Sequence, residues 1–302
     1  MMRGFLPERA TGPLIRVSPS RLPRYNRSPI QPGRLQRLAI LEFFVYYSLL
    51  GAFAGTMAGM LGIGGGLIIV PVLAILFEQQ QLSPEHIMHL AIGTALATIL
   101  ATAISSVRAH HKRGAVQWPL FARITPGIVL GAVIGSTIAH YLPSDALKRI
   151  FGVFEILLAL QIIFSRQPEA HRGLPGPVGL TGAGGIVGTI SAILGMGGGA
   201  LTTPFFLWCN VEARKAIATS AAIGLPMSIA GTLGYIVGGW NAQNLPEWST
   251  GYIFWPAFLG IVAFSIVFAP LGARLAHYLP AKTLKRFFAV FLIFLGINML
   301  RG

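Results

Sequence analysis

The chain has 302 residues, 54% of them hydrophobic and only 11% charged, with a formal net charge of +14 and a mean hydropathy of +0.68. Soluble domains carry about 25% charged residues, so this composition excludes a soluble globular protein and points to a polytopic membrane protein. The lone cysteine, Cys209, excludes an internal disulfide and a cysteine metal cluster, and no interleaved basic and aromatic surface for nucleic acid is present.

Residues 1–38 hold eight arginines and six prolines, with Glu8 the only acid. Such a tail buries too little apolar surface to fold, and it lacks the apolar core of a signal peptide. It is expected to be disordered. From Leu38 the chain is apolar to Phe77, with Glu42 the one charge. Gly51, Gly55 and Gly59 recur at a spacing of four and fall on one helix face, where a neighbouring helix can approach closely. The run is interrupted at Leu61-Gly62-Ile63-Gly64-Gly65-Gly66, and Pro71 follows. The next piece, 67–77, is too short to span a bilayer as a helix. Longer apolar segments are read at about 86–107, 118–141 and 145–164, with a basic loop at 108–113.

After the Pro-rich stretch 166–176 the pattern starts again. Gly184 and Gly188 answer Gly51 and Gly55, displaced by 133, and lead into a second break, Leu194-Gly195-Met196-Gly197-Gly198-Gly199, with Pro204 beyond. Ala91-Ile92-Gly93-Thr94 is matched by Ala216-Ile217-Ala218-Thr219, displaced by 125. Ala139-His140-Tyr141-Leu142-Pro143 is matched by Ala276-His277-Tyr278-Leu279-Pro280, displaced by 137. The expected fold is therefore an all-α polytopic membrane protein built from two homologous repeats, 39–165 and 177–302. Each contains a Gly-broken helical hairpin and three longer helices.

If the two pieces at each break form a hairpin, each half has an odd net number of crossings and the second half is inverted; if they make a single crossing, the halves are parallel. Loop charge agrees with inversion. Loops 108–113, 166–172, 212–215 and 280–286 carry ten basic residues, against three in 78–85, 143–149, 239–250 and the C-terminus. Placing the first set in the cytoplasm satisfies the positive-inside rule. The Arg-rich tail then falls on the other side, against that rule.

Broken backbone at membrane depth is tolerated only where it faces protein or water. Glycine runs opening a helix expose N–H groups and a positive helix end, which suit an anion. The candidate substrate-binding residues are therefore Gly62, Gly64, Gly65 and Gly66 with Gly195, Gly197, Gly198 and Gly199. Thr94, Thr219 and Ser220 are candidate hydroxyl donors. Glu155, a carboxylate inside an apolar run, is a candidate carrier of a coupling proton, with a pair to Arg149 as the alternative. His140 and His277 read as interface anchors. No nucleophile elbow, paired carboxylates, metal-spaced histidines or ATP-binding loop is present, so neither an enzyme nor a cofactor is expected.

The twice-repeated glycine break with its trailing proline and the Ala-Ile-x-Thr block resembles the TauE/SafE (sulfite exporter) family of membrane permeases, over about residues 40–301. The resemblance implies secondary transport of a small sulfur-containing anion, such as sulfite or an organosulfonate, in a bacterial inner membrane. An anion channel of the same architecture and a membrane assembly or enzyme component are the alternatives. The bilayer and a small anion are the expected partners, and a homodimer is the assembly entertained.

Overall fold

A computed structural model describes residues 32–61, 65–164, 173–275 and 281–301. The chain divides into two units, Met1–Ala39 and Ile40–Gly302. In the first unit only the start of a helix is described, so the rest of the proline- and arginine-rich tail lies outside the described residues.

The described residues form α1 (Pro32–Leu61), α2 (Gly66–Gln79), a 3-10 turn (Pro84–His86), α3 (Ile87–Lys112), α4 (Trp118–Tyr141), α5 (Ser144–Phe164), α6 (Pro177–Ile193), α7 (Gly199–Trp208), α8 (Ala213–Gly238), α9 (Trp255–Leu275) and α10 (Ala281–Arg301). A two-residue ladder, β1 (Ser249–Thr250) with β2 (Ile253–Phe254), precedes α9. Five helices are long and apolar enough to cross a membrane, while α2 and α6 are shorter apolar pieces. The architecture is all-α and polytopic. The segment read at 118–141 is α4. α3 runs on to Lys112, beyond the expected 107, because His110, His111 and Lys112 in a last turn favour the negative end of the helix dipole.

Contacts sort the connections into two groups, one at each end of the bundle. At one end, the Gln80 side-chain amide bonds the Tyr47 hydroxyl, Met88 N donates to Ser144 Oγ at 3.0 Å, and the His140 and Tyr252 rings meet. At the other end, the Trp118 indole donates to His111 Nδ1 at 3.3 Å, and Gln117 N donates to Thr219 Oγ1 at 3.0 Å. Loops 78–86, 140–144 and 239–254 thus share one end, and 111–118 shares the other with the start of α8. This is the grouping that loop charge requires.

The first pair of helices is a hairpin. Tyr47, midway along α1, sits beside Gln80 just past α2, each about as far from the break, so both chain directions leave the break toward the same end. The second pair opens at the other end. Thr181, at the start of α6, donates to Arg123 O near the start of α4 at 3.1 Å, and α7 leads within a few residues into the start of α8.

Small residues set the closest helix pairs. A Cβ on Gly131 would come 2.8 Å from Thr189 N, and one on Gly188 would come 3.0 Å from Ala132 N, so α4 and α6 touch backbone to backbone. On the far side, a Cβ on Gly51 would lie 2.8 Å from Ile261 Cα and one on Gly55 2.7 Å from Ser265 Cα. Gly51 and Gly55 correspond to Gly184 and Gly188, and Ile261 and Ser265 lie 137 residues after Ile124 and Ile128. Gly184 would meet Ile124, and Gly188 would meet Ile128. Matched positions therefore make matched contacts, each between the first half of the chain and the second.

Gly131→Leu is expected to cost about 1–3 kcal/mol by overpacking, read as a lower melting temperature in detergent. Gly182→Leu on the neighbouring helix, where a Cβ meets nothing within 4 Å, is expected to stay within about 0.5 kcal/mol of the parent.

Candidate substrate site at the glycine breaks

α2 opens at Gly66 with Gly65 as its N-cap, and both Ile68 N (3.0 Å) and Ile69 N (2.9 Å) donate to Gly65 O. The second break is described throughout. Leu194 N donates to Ile190 O at 3.1 Å and Met196 N to Ser191 O at 3.0 Å, which closes α6. Gly195 then takes φ +63, a left-handed conformation that a side chain resists. α7 opens at Gly199, and its first bond runs from Thr202 N to Gly198 O at 3.0 Å, joined by the Thr202 hydroxyl at 2.6 Å. In both helices the amides of the first turn have no carbonyl one turn back. They form the positive end of the helix dipole. The prolines Pro71 and Pro204 sit inside α2 and α7, where each removes one further backbone donor.

The two breaks meet. A Cβ added at Gly66 would run into the carbonyl oxygen of Gly195 and lie 3.0 Å from Met196 Cα. Around this contact the neighbouring side chains are apolar. Gly195 faces Val70 Cγ2 and Ile92 Cγ2, at 2.9 and 3.0 Å from an added Cβ. Gly197 faces Ile99 Cγ2 at 3.4 Å, and Gly198 faces Ile223 Cγ2 at 3.2 Å and Met227 Sδ at 3.6 Å. Gly65 has only the flexible Ile69 tip within 3 Å. The breaks thus lie between α3 and α8, with isoleucine and methionine side chains against them. Gly62 and Gly64 lie outside the described residues. Gly199 is the first residue of α7 and is half-buried.

The hydroxyls divide by role. Thr94 Oγ1 accepts from Phe254 N at 3.0 Å, just ahead of α9. Thr219 Oγ1 accepts from Gln117 N at 3.0 Å, just ahead of α4. Each therefore ties a helix of one half to a helix entry of the other. Ser220 is fully buried and its Oγ has no hydrogen-bond partner among the described residues. It lies on the α8 face that carries Ile223 and Gly224, the residues against Gly198. Ser191, whose carbonyl closes the second break, also has a buried Oγ without a partner among the described residues. Sequence reasoning passed over Ser191, because its counterpart 133 residues earlier is Ala58.

A fourth matched block also escaped the sequence reading. Gly114-Ala115-Val116-Gln117-Trp118-Pro119 and Gly251-Tyr252-Ile253-Phe254-Trp255-Pro256 are 137 residues apart and share only Gly, Trp and Pro. Both glycines have positive φ, +62 and +54. A Cβ on Gly93 would lie 3.2 Å from the Tyr252 carbonyl carbon and 3.2 Å from Tyr235 Cβ, while Ala218 shares a buried cluster with Ala115.

Glu155 stands apart from the breaks, on α5. It is fully buried, and neither carboxylate oxygen has a hydrogen-bond partner among the described residues. Its neighbour is α10: a Cβ on Gly296 would come 3.3 Å from Glu155 Cβ, and Gly152 and Gly296 each press on the other's carbonyl at 2.9 Å. Arg149 is exposed, and the expected alternative pair with Glu155 is not among the ion pairs formed.

Two glycine-broken hairpins that open at opposite ends of a helical bundle and touch at their glycines define a polytopic membrane protein. Residues 47–299 match the family described as Sulfite exporter TauE/SafE, and the chain belongs to that family. It is 36% identical over 261 residues to a protein of Haemophilus influenzae described as a probable membrane transporter protein, covering 86% of this chain and 99% of that one. It is 27% identical over 278 residues to the probable membrane transporter protein YunE of Bacillus subtilis, covering 85% and 97%. A third relative of the same description, from Methanocaldococcus jannaschii, is 28% identical over 269 residues, covering 86% and 97%. No solved structure matches the chain.

Thr94→Val and Thr219→Val each leave a peptide N–H without its acceptor, at a cost of about 1–3 kcal/mol. Both are expected to lower the melting temperature in detergent, and Thr94→Ser, which keeps the oxygen, is expected to restore most of it.

Proposed function

We propose that the protein is a secondary transporter for a small sulfur-containing anion, sulfite or an organosulfonate, bound between the two glycine breaks near the bilayer midplane. The observation that carries this reading is the contact of Gly66 with Gly195 and Met196. Two helix openings from opposite ends bring their positive termini to one place, where several amides can turn to one anion. The isoleucine and methionine side chains now against the breaks must part to admit it. Rocking one hairpin against the other would open the place to each side in turn, as inverted halves allow. The pairing of matched contacts between the halves supports an inverted two-fold repeat as the frame for that motion. Ser220 and Ser191 stand ready to donate to anion oxygens. The buried carboxyl of Glu155 is the group we assign to a coupling proton. The residues of loops 108–113 and 212–215 face the cytoplasm of a cell whose inner membrane holds the protein.

Gly65→Val and Gly198→Val are the informative substitutions, because their nearest neighbours are movable side-chain tips rather than backbone. Each is expected to leave insertion and expression intact and to reduce uptake of labelled sulfite or sulfoacetate into proteoliposomes by at least about tenfold, about 1.4 kcal/mol. Uptake at the parent rate by a well-expressed Gly198→Val would refute the site. Glu155→Gln is expected to keep substrate binding but remove the response of uptake to an imposed pH gradient. An unchanged response would remove Glu155 from the mechanism.

A further inference from the structure

The seam between α4 and α6 is open on its outer side. A groove of about 530 Å³ runs along it, between Leu130 and Ile134 on α4 and Ile186 and Ile190 on α6. Leu130, Ile134 and Ile186 are each more than half exposed, as side chains that a membrane-crossing helix turns to lipid are. The groove has room because its remaining lining is largely glycine. A Cβ at Gly182 would meet nothing within 4 Å, and one at Gly185 would meet only Gly127 O at 3.9 Å. The two hydroxyls in the lining are already spent on backbone carbonyls. Thr181 donates to Arg123 O and Pro177 O, at 3.1 and 3.0 Å, and Thr189 to Gly185 O at 2.9 Å.

One end of the groove carries a cation. Arg123 precedes Gly127, Leu130 and Ile134 at helical spacing and so shares their face of α4. Its carbonyl takes the Thr181 hydroxyl, which sets its backbone at the mouth of the groove. Arg123 is exposed and forms no ion pair among the described residues, and neither α4 nor α6 contains an acidic residue. Its side chain leans toward the start of α4, the end shared with loop 111–118, and is long enough to reach the polar boundary. From Arg123 to Ile134 the helix rises about 16 Å, close to half of a hydrocarbon core of about 30 Å. The groove therefore has the depth of one leaflet, with its charge at the headgroup end.

We propose that this groove holds an acyl chain of an anionic phospholipid from the leaflet on the side of loop 111–118, with the lipid phosphate on Arg123. Lipid tails are as apolar as the groove walls, so the chain gains packing there rather than hydrophobic energy. Selection among lipids then rests on the head, where a guanidinium bonds a phosphate with two parallel N–H groups. The matched seam of α1 with α9 lacks both features. The residues 137 after Gly127 and Gly131 are Phe264 and Phe268, whose rings stack at 6.4 Å. Those 133 before Gly182 and Gly185 are Leu49 and Ala52, and the residue 137 after Arg123 is Gly260. Where the seam carries bulk the cation is gone, and where it is open the cation is present. A ligand with an apolar chain and an anionic head requires that pairing.

The test reads lipid binding and not transport. The full chain, delipidated in detergent, is titrated with phosphatidylglycerol or phosphatidylcholine, and bound lipid is counted by native mass spectrometry. The parent is expected to hold one phosphatidylglycerol at least about tenfold more tightly than phosphatidylcholine. Arg123→Gln is expected to bring the two lipids level. Gly185→Leu, whose side chain would stand in the groove, is expected to weaken both by about tenfold while melting at the parent temperature in lipid-free detergent. Equal affinity of the parent for the two lipids, the parent preference in Arg123→Gln, or parent affinities in Gly185→Leu overturns the proposal. A dimer of the delipidated parent that Gly185→Leu dissociates assigns the groove to a second copy and overturns it too. If Gly185→Leu does not fold, Arg123→Gln, a change at an exposed side chain, decides the outcome alone.

Discussion

Backbone amides inside a bilayer must find partners within the protein, since the lipid offers none. That constraint governs this structure. Helical bonding ends with α1 at Leu61 and with α6 at Ile193, it resumes at Gly66 and Gly199, and the described residues of the breaks lie against α3 and α8. The glycines that open the bonding pattern also remove the side chains that would keep the two segments apart, so that Gly66 lies on the backbone of Gly195 and Met196. Interruption and contact are two results of one choice of residue. The rest of the bundle holds these segments in place: α3 and α8 flank them, and α4 with α6 and α1 with α9 are fastened by glycine-lined seams.

The seams and the breaks use glycine for different ends. In the seams it shortens the distance between continuous helices and leaves their bonding intact. At the breaks it ends a helix, and at Gly195 it also supplies a left-handed turn. The distinction matters for function, because a seam is rigid and a break is a place where chain can rotate. The proposed transport cycle uses both: fixed surfaces along which one group of helices moves past another, and a centre that changes its exposure.

Much of this was legible in the sequence. Helix positions followed from apolar runs and their polar ends, and α4 was found to the residue. The short piece after the first break was recognised by length, and the partition of loops by charge agrees with the grouping of loops 78–86, 140–144, 239–254 and 111–118. What escaped were features set by distant contacts. Nothing local in Ala-Ile-Gly-Thr shows that the Thr94 oxygen is taken by a peptide 160 residues away. The Trp-Pro block was missed because only three of its six residues are shared between the halves. Ser191 lacked a matched partner, and matching was the signal in use.

The reciprocal threonine ties bear on how the protein is made. Thr94 is synthesised and inserted long before Phe254 exists, and the amide of Gln117 waits equally long for Thr219. The first five helices therefore leave the translocation machinery with an open acceptor at one face and an open donor at the other. They cannot reach their final arrangement until the last helices have been threaded. Both ties form only after the second half has been made, so the joining of the two halves is a late event in the making of this chain.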